Sequence, residues 1–313
     1  MNMANLSFYD KESQCEFSFQ KALEQFGALW HYCTPGYLNL SVNITEDDFK
    51  FSVNNLAISA AETGVTVVTD AHMVNHLHGL LACSRSQCFE MEEAYLYRLG
   101  KRLRSQGREV DLSQFRCKDP IPITDLKMAR NEISYIHRNG YVANPTYTPF
   151  SYPWSGGSVY FSNRQSLAGS IPFNDLPYKA KRIITFRSAF IAPEGYSFRD
   201  GMILPSSYLN YRLGESFFRD AHQYFSFLSK KAEAYSAIAK RLGDQVVLSE
   251  EEMFALVNQI ANRDHNLRQA SLMPPAAKIE LAKHLHQDYN ASNSQIQRML
   301  KLDINILREL FPV

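Results

Sequence analysis

The chain has 313 residues, of which 45% are apolar and 21% charged, with a net charge of +1 at pH 7. This composition excludes a disordered chain, a collagen-like repeat and a stapled mini-protein, and its length suits about two domains. Balanced charge excludes a protein that coats nucleic acid through bulk electrostatics, though it allows a local basic groove.

No run nears the ~18 apolar residues that cross a bilayer, and the opening MNMANLSFYDKESQCEF lacks the basic start and apolar core of a signal peptide. A cytoplasmic location without a membrane partner is therefore expected. Cys15, Cys33, Cys83, Cys88 and Cys117 are odd in number and irregularly spaced, which reads as reduced structural thiols.

In chain order, Thr45-Glu-Asp-Asp is a cap followed by acids, and Phe49, Val53, Leu56, Ile58 and Ala61 follow at helical spacing, predicting a helix up to Thr63. TGVTVVTDAHMV and HLHGLLAC are rich in β-branched and apolar residues and read as two adjacent strands. EMEEAYLYRLGKRLRSQG reads as a helix, acidic at its start, basic at its end and stopped by Gly107. Thr124-Asp125 opens another helix running to Asn139-Gly140. The sum over residues 1–161 is an α+β domain. Residues 162–205, punctuated by Pro172, Pro177, Pro193 and Pro205, read as an irregular connector, and 206–313 as an all-α domain.

In that last part Gly214 to Leu242 is predicted as one long helix, Ser249 as the cap of the next, and Pro274 to Tyr289 as a third. Ser292-Asn-Ser-Gln295 is a capping box, and Asp303 is a fresh cap before Ile306, Leu307 and Leu310. Two short helices around a tight corner have helix-turn-helix spacing over 276–311, and a plain helical hairpin fits equally well.

His76-Leu77-His78 is the sharpest chemical feature. On a strand, positions two apart share a face, so both imidazoles reach one cation; the bland reading is a polar solvent face. His284-Leu285-His286 has the same spelling on a helix, where the two positions diverge and cannot share a metal. Near the end of the Asp125 helix, Tyr135 and Asn139 are four apart on one face, offering a phenol and an amide oxygen. His137, two residues on from Tyr135, turns to the surface or a second layer.

Met73-Val-Asn-His-Leu-His78, then Ser134-Tyr-Ile-His-Arg-Asn139, then Tyr152-Pro-Trp-Ser155 resemble the signature of the single-tyrosine HUH transposases, which include the REP-associated tyrosine transposases and small insertion-sequence transposases. Val74 and Gly140 stand where that family usually has Pro. The resemblance spans residues 28–161. It implies a ferredoxin-like antiparallel sheet backed by helices, a divalent metal, Mg or Mn, on His76 and His78 with Asn139 as third ligand, and Tyr135 as nucleophile. The implied activity is cleavage and transfer of single-stranded, hairpin-bearing DNA through a 5′-phosphotyrosine.

Lys101, Arg102, Arg104, Arg138, Lys181 and Arg182 are candidate DNA contacts, with Tyr178, Phe186 and Phe190 among the second group suited to stacking on bases. Gln295 and Arg298 are candidates for contact from the terminal helices. A domesticated protein that binds hairpins without cutting is the alternative. A zinc site drawing on His31, Cys33 or Cys83 beside the His pair is a third reading. Both a monomer and a homodimer are compatible with the sequence.

Overall fold

The computed structural model describes residues 8–36, 41–143, 147–162, 167–186, 190–229, 248, 250–289 and 291–311. The chain divides into two compact units, 1–228 and 229–313.

The first unit opens with α1 (Phe8–Phe26), which buries Cys15, Phe19 and Ala22 at helical spacing. Next come β1 (Leu29–Cys33), α2 (Glu46–Thr63), β2 (Thr66–His72), β3 (Leu77–Ala82), α3 (Arg85–Ser105), β4 (Ile121–Pro122) and α4 (Leu126–Ala143). The strands form one antiparallel sheet in the order β2-β3-β1-β4. β2 and β3 are the two expected adjacent strands and form a hairpin, closed by Met73 N–H to the carbonyl of His76 at 2.8 Å. In α2 the expected capping box is present between Thr45 and Asp48, and Gly64 ends the helix at φ 69°.

Cross-strand register divides the sheet. His31, Cys33, His78 and Leu80 share one face, on which α4 lies; Tyr32 and His72 lie on the other face with α2 and α3. The outer edge of β2 is covered by the Tyr152-Pro-Trp-Ser155 segment. Tyr152 donates to the His72 carbonyl at 2.7 Å, the His72 N–H bonds the Trp154 carbonyl at 2.8 Å, and Ser155 donates to the Asp70 carbonyl at 3.0 Å.

Several sequence expectations change. Helix α3 starts at Arg85, before the acidic run, because Ser84 and Gln87 form a capping box. Helix α4 passes Asn139-Gly140 and continues to Ala143; Gly140 serves close packing on Tyr152 instead of ending the helix. The described residues of 162–205 carry regular elements, β5 (Ile171–Pro172), α5 (Tyr178–Thr185), β6 (Ser197–Arg199) and β7 (Met202–Ile203), the three strands forming a second antiparallel sheet.

The predicted helix from Gly214 is broken. α6 (Pro205–Tyr208), α7 (Tyr211–Glu215) and α8 (Ala221–Leu228) all belong to the first unit, so the boundary falls after 228 and not at 205. The Asn210 N–H bonds the Val67 carbonyl at 2.8 Å and the Arg130 guanidinium bonds the Phe217 carbonyl at 2.5 Å, which ties this segment to β2 and α4. The remainder of that helix and the Ser249 cap lie outside the described residues.

The second unit contains α9 (Glu250–His265), α10 (Pro275–Tyr289), α11 (Asn293–Leu300) and α12 (Ile304–Leu310). Ser292 and Gln295 form the predicted capping box, and the Asp303 side chain accepts from the Asn305 N–H. The corner between α11 and α12 is three residues long, with Lys301 at φ 54°. Ile296, Leu300 and Leu307 face inward and are fully buried. The discarded pair is helical as read: His284 pairs with Asp288, and His286 stacks on Phe311 at 4.2 Å.

Candidate active site

Alternation on β3 and the helical period of α4 meet on one face of the sheet. The His78 ring lies 5.3 Å from the Tyr135 ring and 4.7 Å from that of His76, both edge to face. Residues more than fifty positions apart in sequence are thus in contact, although His76 sits in the hairpin turn just ahead of β3. Tyr135 is buried, 4% exposed. Asn139 occupies the next turn of α4, where its Nδ2 donates to the Tyr135 carbonyl at 3.1 Å, so the amide oxygen is the atom it has to offer.

His31 joins this cluster from β1. Its ring is 5.9 Å from that of Tyr135, its Nε2 is 3.2 Å from Nδ1 of His78, and its Nδ1 is 2.7 Å from a carboxylate oxygen of Glu132. His31, His78 and Glu132 are all within 1% of complete burial. Glu132 stands three residues before Tyr135 and projects from the same side of α4, a spacing that is visible in the sequence; its partner on β1 is not.

Donor chemistry fits a cation held by His76 and His78 with an amide oxygen from Asn139, a set with imidazole and hard oxygen donors and open positions. Among the described residues, no three His, Cys, Asp or Glu side chains are arranged to hold a metal ion. The thiols do not gather around the pair to make a zinc site. The Cys33 thiol donates to the Thr34 carbonyl at 3.3 Å, and Cys83 Sγ lies 3.4 Å from Cys88 Sγ with both cysteines reduced.

His137 is a core residue, against the surface or second-layer expectation. It is wholly buried between Thr69, at 2.5 Å, and the Tyr224 hydroxyl, at 2.8 Å, and burial pushes its pKa down to about 3. Asp70, His72, Ser52 and Tyr95 form a second polar chain on the opposite face of the sheet, with Ser52 Oγ 2.7 Å from His72 Nδ1 and His72 Nε2 3.3 Å from Asp70. The serine, histidine and aspartate are at most 1% exposed and are hydrogen-bonded to one another in the core.

The basic candidates separate. Arg138 is buried at 5% exposure. Arg102 lies 3.6 Å from Asp48 and its guanidinium covers the Phe51 ring, while Lys101 covers that of Tyr97 at 4.3 Å. Arg104, Arg182 and Arg298 are exposed, Gln295 is half-buried, and the Lys181 ammonium bonds the Asn174 carbonyl. Arg102 and Lys50 share a surface groove of about 320 Å³ with Ile183 and Phe198, and neither Lys181 nor Arg182 lines it. Of the stacking candidates, Tyr178 is 60% exposed, whereas Phe190 packs edge to face on Phe173. Comparison with protein-family models, curated proteins and solved structures finds no match for the chain.

Proposed function

We propose that the chain is a metal-dependent single-strand DNA transesterase of the single-tyrosine HUH type, acting on hairpin-bearing DNA. The observation that carries this reading is the convergence of His76, His78 and Tyr135 at ring distances of 4.7 and 5.3 Å. The strand order supports it too: read from the other edge it is β4-β1-β3-β2, with α2 and α3 as crossovers, which is the order of a ferredoxin-like βαββαβ unit.

In this reading His76, His78 and Asn139 would hold Mg or Mn, which would supply Lewis-acid chemistry for phosphoryl transfer. The Tyr135 oxygen attacks phosphorus and the bond to the 3′ oxygen breaks. A 5′-phosphotyrosine and a free 3′-OH result, the phenol's proton ending on the departing oxygen directly or through water. Such transfer depends on alignment more than on bond-making assistance, and the rings of His31 and His78 packed on Tyr135 fix its position.

The burial of Tyr135 favours a second reading, a hairpin-binding protein that does not cut, since a scissile phosphate must reach an oxygen on a residue 4% exposed. Incubation with Mn²⁺ and a pool of hairpin-bearing single strands separates the two. The transesterase gives a denaturant-stable protein–DNA adduct, and the binding protein gives retention without one.

A further inference from the structure

Resting on that reading, we infer that Asn75 and the Glu132–His31 dyad are positioning residues that hold His76 and His78 in one tautomer, with the ring proton on Nδ1 and the lone pair on Nε2. Both rings use Nδ1 toward the protein. His76 Nδ1 is 2.8 Å from the Asn75 side-chain oxygen, and the Asn75 amide is oriented by its Nδ2, which donates to the Gly36 carbonyl at 2.9 Å. An amide oxygen only accepts, so His76 donates from Nδ1.

For His78 the argument runs through two bonds. The Glu132 carboxylate accepts at 2.7 Å from Nδ1 of His31, which makes Nε2 of a neutral His31 an acceptor. The atom 3.2 Å from that acceptor is His78 Nδ1, which must then donate. Both histidines are left with Nε2 as the electron-pair donor before any cation arrives. Carboxylate and carbonyl partners of this kind orient metal-binding imidazoles and raise their basicity, and losing them costs about 10- to 100-fold in metal affinity. The two supports also differ. The His31 dyad is sealed from water, whereas Asn75 and His76 are half-buried, so the hold on His78 is the firmer one.

The test is a long-range ¹H–¹⁵N correlation spectrum of the metal-free full chain, with ring signals assigned from His76→Gln and His78→Gln. Pyridine-type Nε2 and pyrrole-type Nδ1 at both residues are expected. Glu132→Leu should move the His78 proton to Nε2 and weaken Mn²⁺ binding about 10- to 100-fold by calorimetry, while Glu132→Gln, which keeps an accepting oxygen, should restore the wild-type pattern. Asn75→Leu should change His76 alone. A proton on Nε2 of His78 in the wild type overturns the inference, as does a pattern unmoved by Glu132→Leu. The expected pattern in a protein that binds no Mn²⁺ upholds the relay and overturns the metal-site reading instead.

Discussion

Nδ1 of His137 lies 2.8 Å from the hydroxyl of Tyr224, joining α4 to α8 inside the first unit. The two rings also meet at 5.9 Å, and Tyr160 packs on both. This contact is one reason the segment that reads as the start of a separate helical domain is built into the first unit.

Burial lowers the His137 pKa from 6.5 to about 3, so the unfolded chain binds a proton there that the folded chain refuses. The sign follows directly. Stability contributed at this site is complete above about pH 6.5 and is lost as pH falls toward 3, at roughly 1.4 kcal/mol per unit. Urea titrations at pH 7, 5.5 and 4.5 should show a falling midpoint. His137→Gln should flatten that dependence, and an equally steep fall in the variant would assign the acid sensitivity elsewhere.

Gly140 and Gly100 make a matched pair inside helices. Alanine in a helix interior normally gains about 1 kcal/mol over glycine. A Cβ on Gly140 would meet the Tyr152 ring at 2.3 Å, whereas one on Gly100 meets the flexible Arg104 and Leu112 side chains at 3.3 Å. Gly140→Ala should therefore destabilise by about 1–3 kcal/mol, and Gly100→Ala should be neutral or stabilising. Denaturation midpoints check both, and a stabilised Gly140→Ala would contradict the packing of Tyr152 on α4.

Much of this architecture is legible in the sequence. The Thr45 cap, the β2–β3 hairpin, the Ser292 box and the Asp303 cap are local signals, and local signals survive folding. Helix α1 also has a legible buried stripe at helical spacing, Cys15, Phe19 and Ala22. What sequence withholds is pairing at long range. Glu132 and His31 stand 101 positions apart, so His31 reads only as a possible zinc ligand until β1 is laid beside β3. Gly140 misleads because a glycine spared for tertiary contact is spelled like one that ends a helix.

The second unit offers a separate prediction. If α11 and α12 are a DNA-reading pair, Arg298, Asn305 and Arg308, all exposed, and half-buried Gln295 contact the duplex stem of a hairpin. Removing 229–313 is the proper cut, since a break near Ala270 would fall within the unit, where the Ala270 N–H bonds Asn258 at 2.9 Å. The shortened chain should cleave a minimal single strand, bind long-stem substrates more weakly, and lose about 0.9 from its salt slope for each phosphate contact removed. Unchanged affinity and slope in a folded truncation would assign the unit to protein contact or structure.

The central claim is that the Tyr135 oxygen forms the covalent bond, and mass spectrometry of the linked peptide tests it most directly. Protein incubated with Mn²⁺ and hairpin-bearing single strands, then digested with nuclease and protease, should carry a nucleotide on the peptide containing Tyr135. The adduct should vanish with chelator and in Tyr135→Phe, with hairpin binding within a few-fold because the ring still packs against His31 and His78. An adduct that persists in Tyr135→Phe, or maps to another residue, would contradict the account.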